Sequence, residues 1–304
     1  MPYSLVLVGS TNHTLTATNQ LLNSPDFKVL FAITPEPKPQ GKQKTLVQNP
    51  VQTWAEKQNI PTVLIKDKIN DQEQAQVQRL IQNVGKPDYL LVVDFGYKIP
   101  NWLLGLANFH PINIHPSDLP RWRGSSPGQF VLLNGEKESA ISIITMSSNF
   151  DQGEIVSKIP FSVGENWTQK EYYHQAFDLV AKELPEILIG LAENKITPRP
   201  QPTKSPTPTA NRLTKEDSFR DWQLIMSALS GEDQKVVSQI EQATRAFQPW
   251  PILWTLVDTK HGQKRMKILE TIISSGKLEL IKVQIEGGQP AHWNQVKNQI
   301  EETN

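Results

Sequence analysis

No cysteine occurs among the 304 residues, which removes disulfides, thiolate nucleophiles and Cys-based zinc sites together. Excess charge is lacking too. Lys and Arg number 31 against 31 Asp and Glu, so no polycationic field draws the whole molecule to a nucleic acid, and any such contact has to come from local patches. No apolar run approaches the roughly eighteen residues of a membrane span, and the N-terminus has no charged start followed by an apolar signal core. A soluble cytoplasmic protein is the expectation. G-x-G-x-x-G does not follow the first strand, so the dinucleotide fingerprint is missing. G-x-S-x-G and H-E-x-x-H are also missing, which disfavours a serine hydrolase and a zinc enzyme; no metal is expected.

What is present reads as two domains. Residues 3–8 form a continuous apolar run closed by Gly9-Ser10-Thr11, as in a buried parallel strand, and residues 28–33 repeat the pattern after a helical stretch holding Leu15, Leu21 and Leu22. Strand, helix, strand favours a right-handed crossover and an open, Rossmann-like α/β sheet. Residues 34–50 form a loop rich in Pro and Lys (Lys38, Lys42 and Lys44), either a solvated excursion or a basic finger for phosphates. Residues 89–93 are the clearest buried strand after the first, closed by Asp94-Phe95-Gly96 at the end where ligands of such sheets lie; Phe95 could floor a pocket for a flat ring. Helix is expected over 126–133 and strands over 140–146 and 155–161. A longer helix over 168–194 is opened by a Thr168/Glu171 capping box and kinked or restarted at Pro185. Residues 196–211 carry five prolines and no apolar period, which reads as a semi-rigid linker between domains 1–195 and 212–304. Beyond it come two helices and several short strands, the pattern of a small β-barrel.

The chemistry concentrates in Asn113-Ile114-His115 and in Asp151-Gln152-Gly153. Asn113 and His115 are two apart, so on an extended backbone both side chains leave one face. If Asp151 joins them, the amide can bond an oxygen that gains negative charge during acyl transfer, while imidazole and carboxylate move the proton of an attacking amine. No nucleophilic side chain is then needed. Each piece alone is also ordinary strand-end or turn chemistry.

Asn113-Ile114-His115, then Ser117-Asp118-Leu119-Pro120-Arg121-Trp122-Arg123-Gly124, and later Asp151-Gln152-Gly153, resemble the N-x-H…S-L-L-P-x-[WY]-R-G…D-x-G signature of folate-dependent formyltransferases. The basic loop 34–50 resembles the insertion of the methionyl-tRNA formyltransferase family. Leu213-Thr214-Lys215-Glu216-Asp217 resembles the start of that family's second domain, Arg245-Ala246-Phe247-Gln248-Pro249-Trp250-Pro251 its R-A-F-N-P-W-P, and the closing Val283-Gln284-Ile285-Glu286-Gly287-Gly288 its V-Q-x-x-G-K, so that the likeness spans nearly the whole chain. This resemblance implies formyl transfer from 10-formyltetrahydrofolate to the α-amine of initiator Met-tRNA, with Asn113, His115 and Asp151 catalytic and either His115 or Asp151 as the base. It implies folate contact at Ser117, Asp118, Leu119 and Pro120 and an oligonucleotide-binding (OB-like) C-terminal barrel; Phe95 and Gly96, at the carboxyl end of their strand, are further candidates for the same ligand. Lys38, Lys42 and Lys44, with a stripe of Lys264, Arg265 and Lys267, are the candidate tRNA contacts. A monomer is expected. The alternative is transfer to a small amino-sugar nucleotide. Departures include Asp118 where Leu is usual, Gly9-Ser10-Thr11-Asn12-His13 in place of G-T-P-x-F, and twelve basic against twelve acidic residues over 212–304.

Overall fold

Apolar residues on both faces make β1 (Tyr3–Gly9) a central strand: Leu5, Val6, Leu7 and Val8 are fully buried in the computed structural model, which describes residues 1–41 and 43–301. Thr11 caps α1 (Asn12–Asn23) by accepting from the Thr14 amide. β2 (Phe27–Pro35) follows. Residues 34–50, expected as loop, instead hold a two-stranded antiparallel hairpin of β3 (Lys38–Gln40) and β4 (Thr45–Val47). Three-residue strands carrying a proline and exposed apolar residues have no burial period to read, which is why the sequence conceals them. α2 (Pro50–Lys57) is capped by Asn49, and β5 (Thr62–Ile65) leads to α3 (Asp71–Val84), opened by an Asn70/Glu73 capping box. Then come β6 (Tyr89–Val93), α4 (Asn101–Leu104), β7 (Pro111–His115), α5 (Pro127–Leu133), β8 (Glu138–Thr145), β9 (Ile155–Ser162) and α6 (Gln169–Ala192). Glu171 accepts from the Thr168 amide at 3.0 Å, as the capping reading expected, but α6 runs through Pro185 without a restart.

The chain divides into two compact units. The first gathers Met1–Arg123, Ala140–Phe161 and His174–Pro208; the second gathers Gly124–Ser139, Ser162–Tyr173 and the chain from Thr209 onward. A seven-stranded sheet runs in the order β5-β2-β1-β6-β7-β8-β9. It is parallel from β5 to β7, and β8 joins β7 antiparallel. The chain winds outward from β1 to β2 and β5, then returns to β6 and β7. The strand order therefore reverses between β1 and β6, where open α/β sheets leave a crevice at the carboxyl ends.

In the second unit α7 (Trp222–Ser230) and α8 (Gln234–Ala246) start at the side-chain caps Asp221 and Asp233. An antiparallel sheet of the kind a small barrel is built from follows, in the order β10 (Trp254–Thr259), β11 (Gly262–Ser274), β12 (Lys277–Ile285) and β13 (Ala291–His292), before the short α9 (Trp293–Val296). Alternate residues of these strands face Ile225, Val237, Ile240 and Phe247 of the core, each contributing on the order of 1.5–3 kcal/mol by leaving water. Arg245-Ala246-Phe247-Gln248-Pro249-Trp250-Pro251 belongs to this packing. Phe247 is buried, Arg245 donates to the Trp167 carbonyl at 2.9 Å, and the Trp250 carbonyl accepts from Gln169. Among the described residues no helix is long and apolar enough to cross a membrane.

Candidate active site

One row of the sheet organises the site. Gly9 pairs with Val93 and Val93 with Ile114, so the chain leaves β1, β6 and β7 at the same level. Asn113 and His115 alternate with the buried Ile112 and Ile114 and so share a face of β7, with Asn113 half-buried and His115 only 4% exposed.

The His115 Nε2 lies 3.1 Å from the Trp122 carbonyl. A carbonyl only accepts, so Nε2 carries the proton, which leaves Nδ1 as the basic nitrogen of the neutral ring. Nδ1 is 3.7 Å from Asp151 Oδ1, too long for a hydrogen bond but within ion-pair reach, and both side chains are nearly buried. An imidazolium formed there meets a carboxylate in poorly screened surroundings. Asp151 reaches this place because the turn behind it is forced close to β8. A Cβ on Gly153 would stand 1.6 Å from the Thr145 carbonyl oxygen, so only glycine closes the turn.

Residues 117–120 form a tightly bonded loop. Ser142 of β8 donates to the Ser117 carbonyl at 2.7 Å and accepts from the Leu119 amide at 3.2 Å, while Ser117 Oγ donates to the Arg121 carbonyl. Ser117 and Leu119 are fully buried, which leaves Asp118 and Pro120 half-exposed. Asp118, the departure from Leu, is paired with Lys158 at 2.6 Å. A cleft of about 630 Å³ borders this loop, lined by Pro120, Ile155, Val156, Lys158 and Arg199 among others. Phe95 is half-buried with its ring 5.4 Å from that of Tyr97, and Gly96 offers bare backbone to open space.

The structure adds residues that the motif reading passed over. At the strand-order reversal, Asp94 accepts from Thr11 Oγ1 at 2.7 Å and meets His13 Nδ1 at 3.0 Å, while the His13 ring stacks on Phe177. Burial pushes the Asp94 carboxyl up, but the hydrogen bonds from His13 and Thr11 and the charge of His13 outweigh it and hold the group below its ordinary value. Arg123 donates to Gln201, and Gln201 donates in turn to the Asp151 carbonyl. Arg123 stands in the signature and Asp94 at a strand end, neither with a role attached, while Gln201 carries no sequence signal.

Of the cationic candidates, Lys38 and Lys44 belong to the first unit and Lys264, Arg265 and Lys267 to the second. Lys38 lies 5.7 Å from the Tyr97 ring centroid, Lys44 stands at φ 51 in the β3–β4 turn, and Lys42 lies outside the described residues. On β11, Arg265 and Lys267 share the face opposite Met266, with Arg265 stacked 4.2 Å from the Trp254 ring centroid; Lys264 alternates to the Met266 side.

The family model described as formyl transferase matches residues 4–188. The chain belongs to the formyl transferase family. It is 32% identical over 88% of its length to the methionyl-tRNA formyltransferase of Rickettsia bellii, covering 80% of that protein. Its fold is similar to that of methionyl-tRNA formyltransferase from Clostridium thermocellum, with a TM-score of 0.60, 16% identity and coverage of 95% of this chain and 100% of that one. It is similar as well to an N-formyltransferase from Helicobacter canadensis crystallised with folinic acid and dTDP-3-aminofucose, with a TM-score of 0.61, 16% identity and coverage of 96% and 100%. Members of this fold therefore include enzymes for unlike acceptors.

Proposed function

We propose that this chain transfers the formyl group of 10-formyltetrahydrofolate to the α-amine of initiator Met-tRNA, as a monomer in the cytoplasm at the start of translation. The observation that carries the reading is the 32% identity to a methionyl-tRNA formyltransferase over 88% of the chain, which extends well past the matched residues 4–188. Residues 1–195 would form the catalytic part, 196–211 the join and 212–304 the tRNA-contacting part.

When bound, the folate supplies the formyl carbon. The half-exposed Phe95 ring and the open backbone of Gly96 suit a flat heterocycle, and the 117–120 loop would contact the same ligand. Asn113 donates its amide N–H to the oxygen that gains negative charge. As the α-nitrogen bonds to the formyl carbon, the His115–Asp151 pair takes its proton, His115 through Nδ1, and Asp151 stabilises the imidazolium. Breaking the bond to the folate nitrogen returns a proton to that nitrogen.

The test is formyl transfer measured in parallel on Met-tRNA and on amino-sugar nucleotides. Transfer to Met-tRNA, lowered by His115→Ala or Asp151→Asn about 10²- to 10⁴-fold with folate binding retained, is the expected result. Transfer confined to amino sugars would overturn it.

A further inference from the structure

The proline-rich residues 199–208 hold no helix or strand, yet their polar groups are tied to both halves of the His115–Asp151 pair. Asp151 stands at φ 53, a left-handed conformation that Asp visits more readily than most side chains and that local bonds fix in place. Gln201 provides those bonds. Its Nε2 donates to the Asp151 carbonyl at 3.0 Å and to the Gly153 carbonyl at 2.6 Å, bracketing the turn. Its Oε1 accepts from Arg123 Nε at 3.2 Å and Nη2 at 2.9 Å, which fixes which way the amide faces. Arg123 is 8% exposed and anchors in turn on the same segment, donating to the Pro202 carbonyl at 2.8 Å and the Thr203 carbonyl at 3.2 Å. A few residues on, Thr207 Oγ1 accepts from the Trp122 amide at 2.7 Å. Trp122, itself at φ 55, is the residue whose carbonyl accepts the hydrogen bond from His115 Nε2. Gln201 therefore sets the carboxylate, and Thr207 sets the acceptor that orients the imidazole.

We infer that residues 199–208 are a strap for the proton-transfer pair, with Gln201, Arg123 and Thr207 as positioning residues that never touch substrate. The inference rests on the proposed formyl transfer. It predicts that loosening the strap changes the spacing of His115 and Asp151 and leaves acceptor binding alone.

The experiment uses the full chain and four variants of the segment, with His115→Ala as the reference for assignment. Gln201→Met keeps length but removes the donor and the acceptor; Thr207→Val keeps shape but removes the hydroxyl, and Thr207→Ser restores it. Lys204→Ala trims an exposed side chain of the same segment that makes none of these bonds. Gln201→Met and Thr207→Val should lower kcat about 10- to 100-fold with KM for Met-tRNA within about threefold, and should displace the pH–rate profile. Thr207→Ser and Lys204→Ala should stay near wild type. The His115 ring resonances, assigned by difference against His115→Ala, should move in the first two variants alone. If Gln201→Met loses cooperative unfolding, the Thr207 pair decides. Folded variants with unchanged kcat and unchanged His115 resonances, or with raised KM alone, would overturn the strap. A wild-type chain inactive on Met-tRNA would overturn the functional reading instead, and the His115 resonances would still judge the strap.

Discussion

Gly153 is the residue on which the geometry of the acid–base pair turns. A methyl group there would collide with the Thr145 carbonyl, which is backbone of a buried strand and has no rotamer to swing away. Gly153→Ala should therefore destabilise the fold by about 1–3 kcal/mol and lower turnover by more than the unfolded fraction explains; denaturant titration alongside kcat checks both. Asp94 makes a different kind of prediction. Its folded pKa lies below its ordinary value of 3.8, so its contribution to stability is full above that value and is lost as pH falls through the lower folded value. Asp94→Asn should be less stable than wild type near neutrality, and the gap between the two melting temperatures should close below pH 3.8. A gap that widens in acid would contradict the assignment.

At the scale of the element, α6 bears the sharpest mismatch between local preference and observed structure. Pro185 has no amide to give the preceding turn, and its ring crowds the carbonyl four residues back, yet the helix continues from Gln169 to Ala192. The buried face of Phe177, Val180, Leu184, Leu188 and Leu191 holds it together. Pro185→Ala should then raise stability by about 1–3 kcal/mol with turnover unchanged, as thermal unfolding would show; no gain would mean that ring packing offsets the lost hydrogen bond. The same contrast separates what could be read from the sequence from what could not. β1 and β6 were legible because strands covered on both faces need unbroken apolar runs, and His115 and Asp151 were legible as candidates because an imidazole and a carboxylate are the groups that move protons. The β3–β4 hairpin and the 199–208 segment were not. Their order comes from pairing and polar bonds with residues distant in the chain, such as Gln201 with Arg123, and such bonds leave no periodicity behind.

For the molecule as a whole, zero net charge makes RNA binding a matter of patches, and salt dependence measures them. Each cation that neutralises a phosphate contributes about 0.7–0.9 to the magnitude of the slope of log K against log salt. If Lys38 and Lys44 of the hairpin act with Arg265 and Lys267 of β11, the slope for Met-tRNA binding should be about −3 to −4, and replacing either pair by Ala should reduce it by about 1.5–2. Independent contacts predict that losses at the two pairs add. Removing charge also shifts the net charge, so a control is needed: Lys57→Ala with Lys182→Ala alters it equally at exposed helix positions. Screening over about 10 Å at 0.1 M salt should leave the control slope where it was. Arg265 has a second role through its stacking on Trp254, so Arg265→Lys should keep the slope while weakening affinity. A patch whose neutralisation leaves the slope unmoved does not touch phosphate, and if neither moves it, RNA is held through other residues.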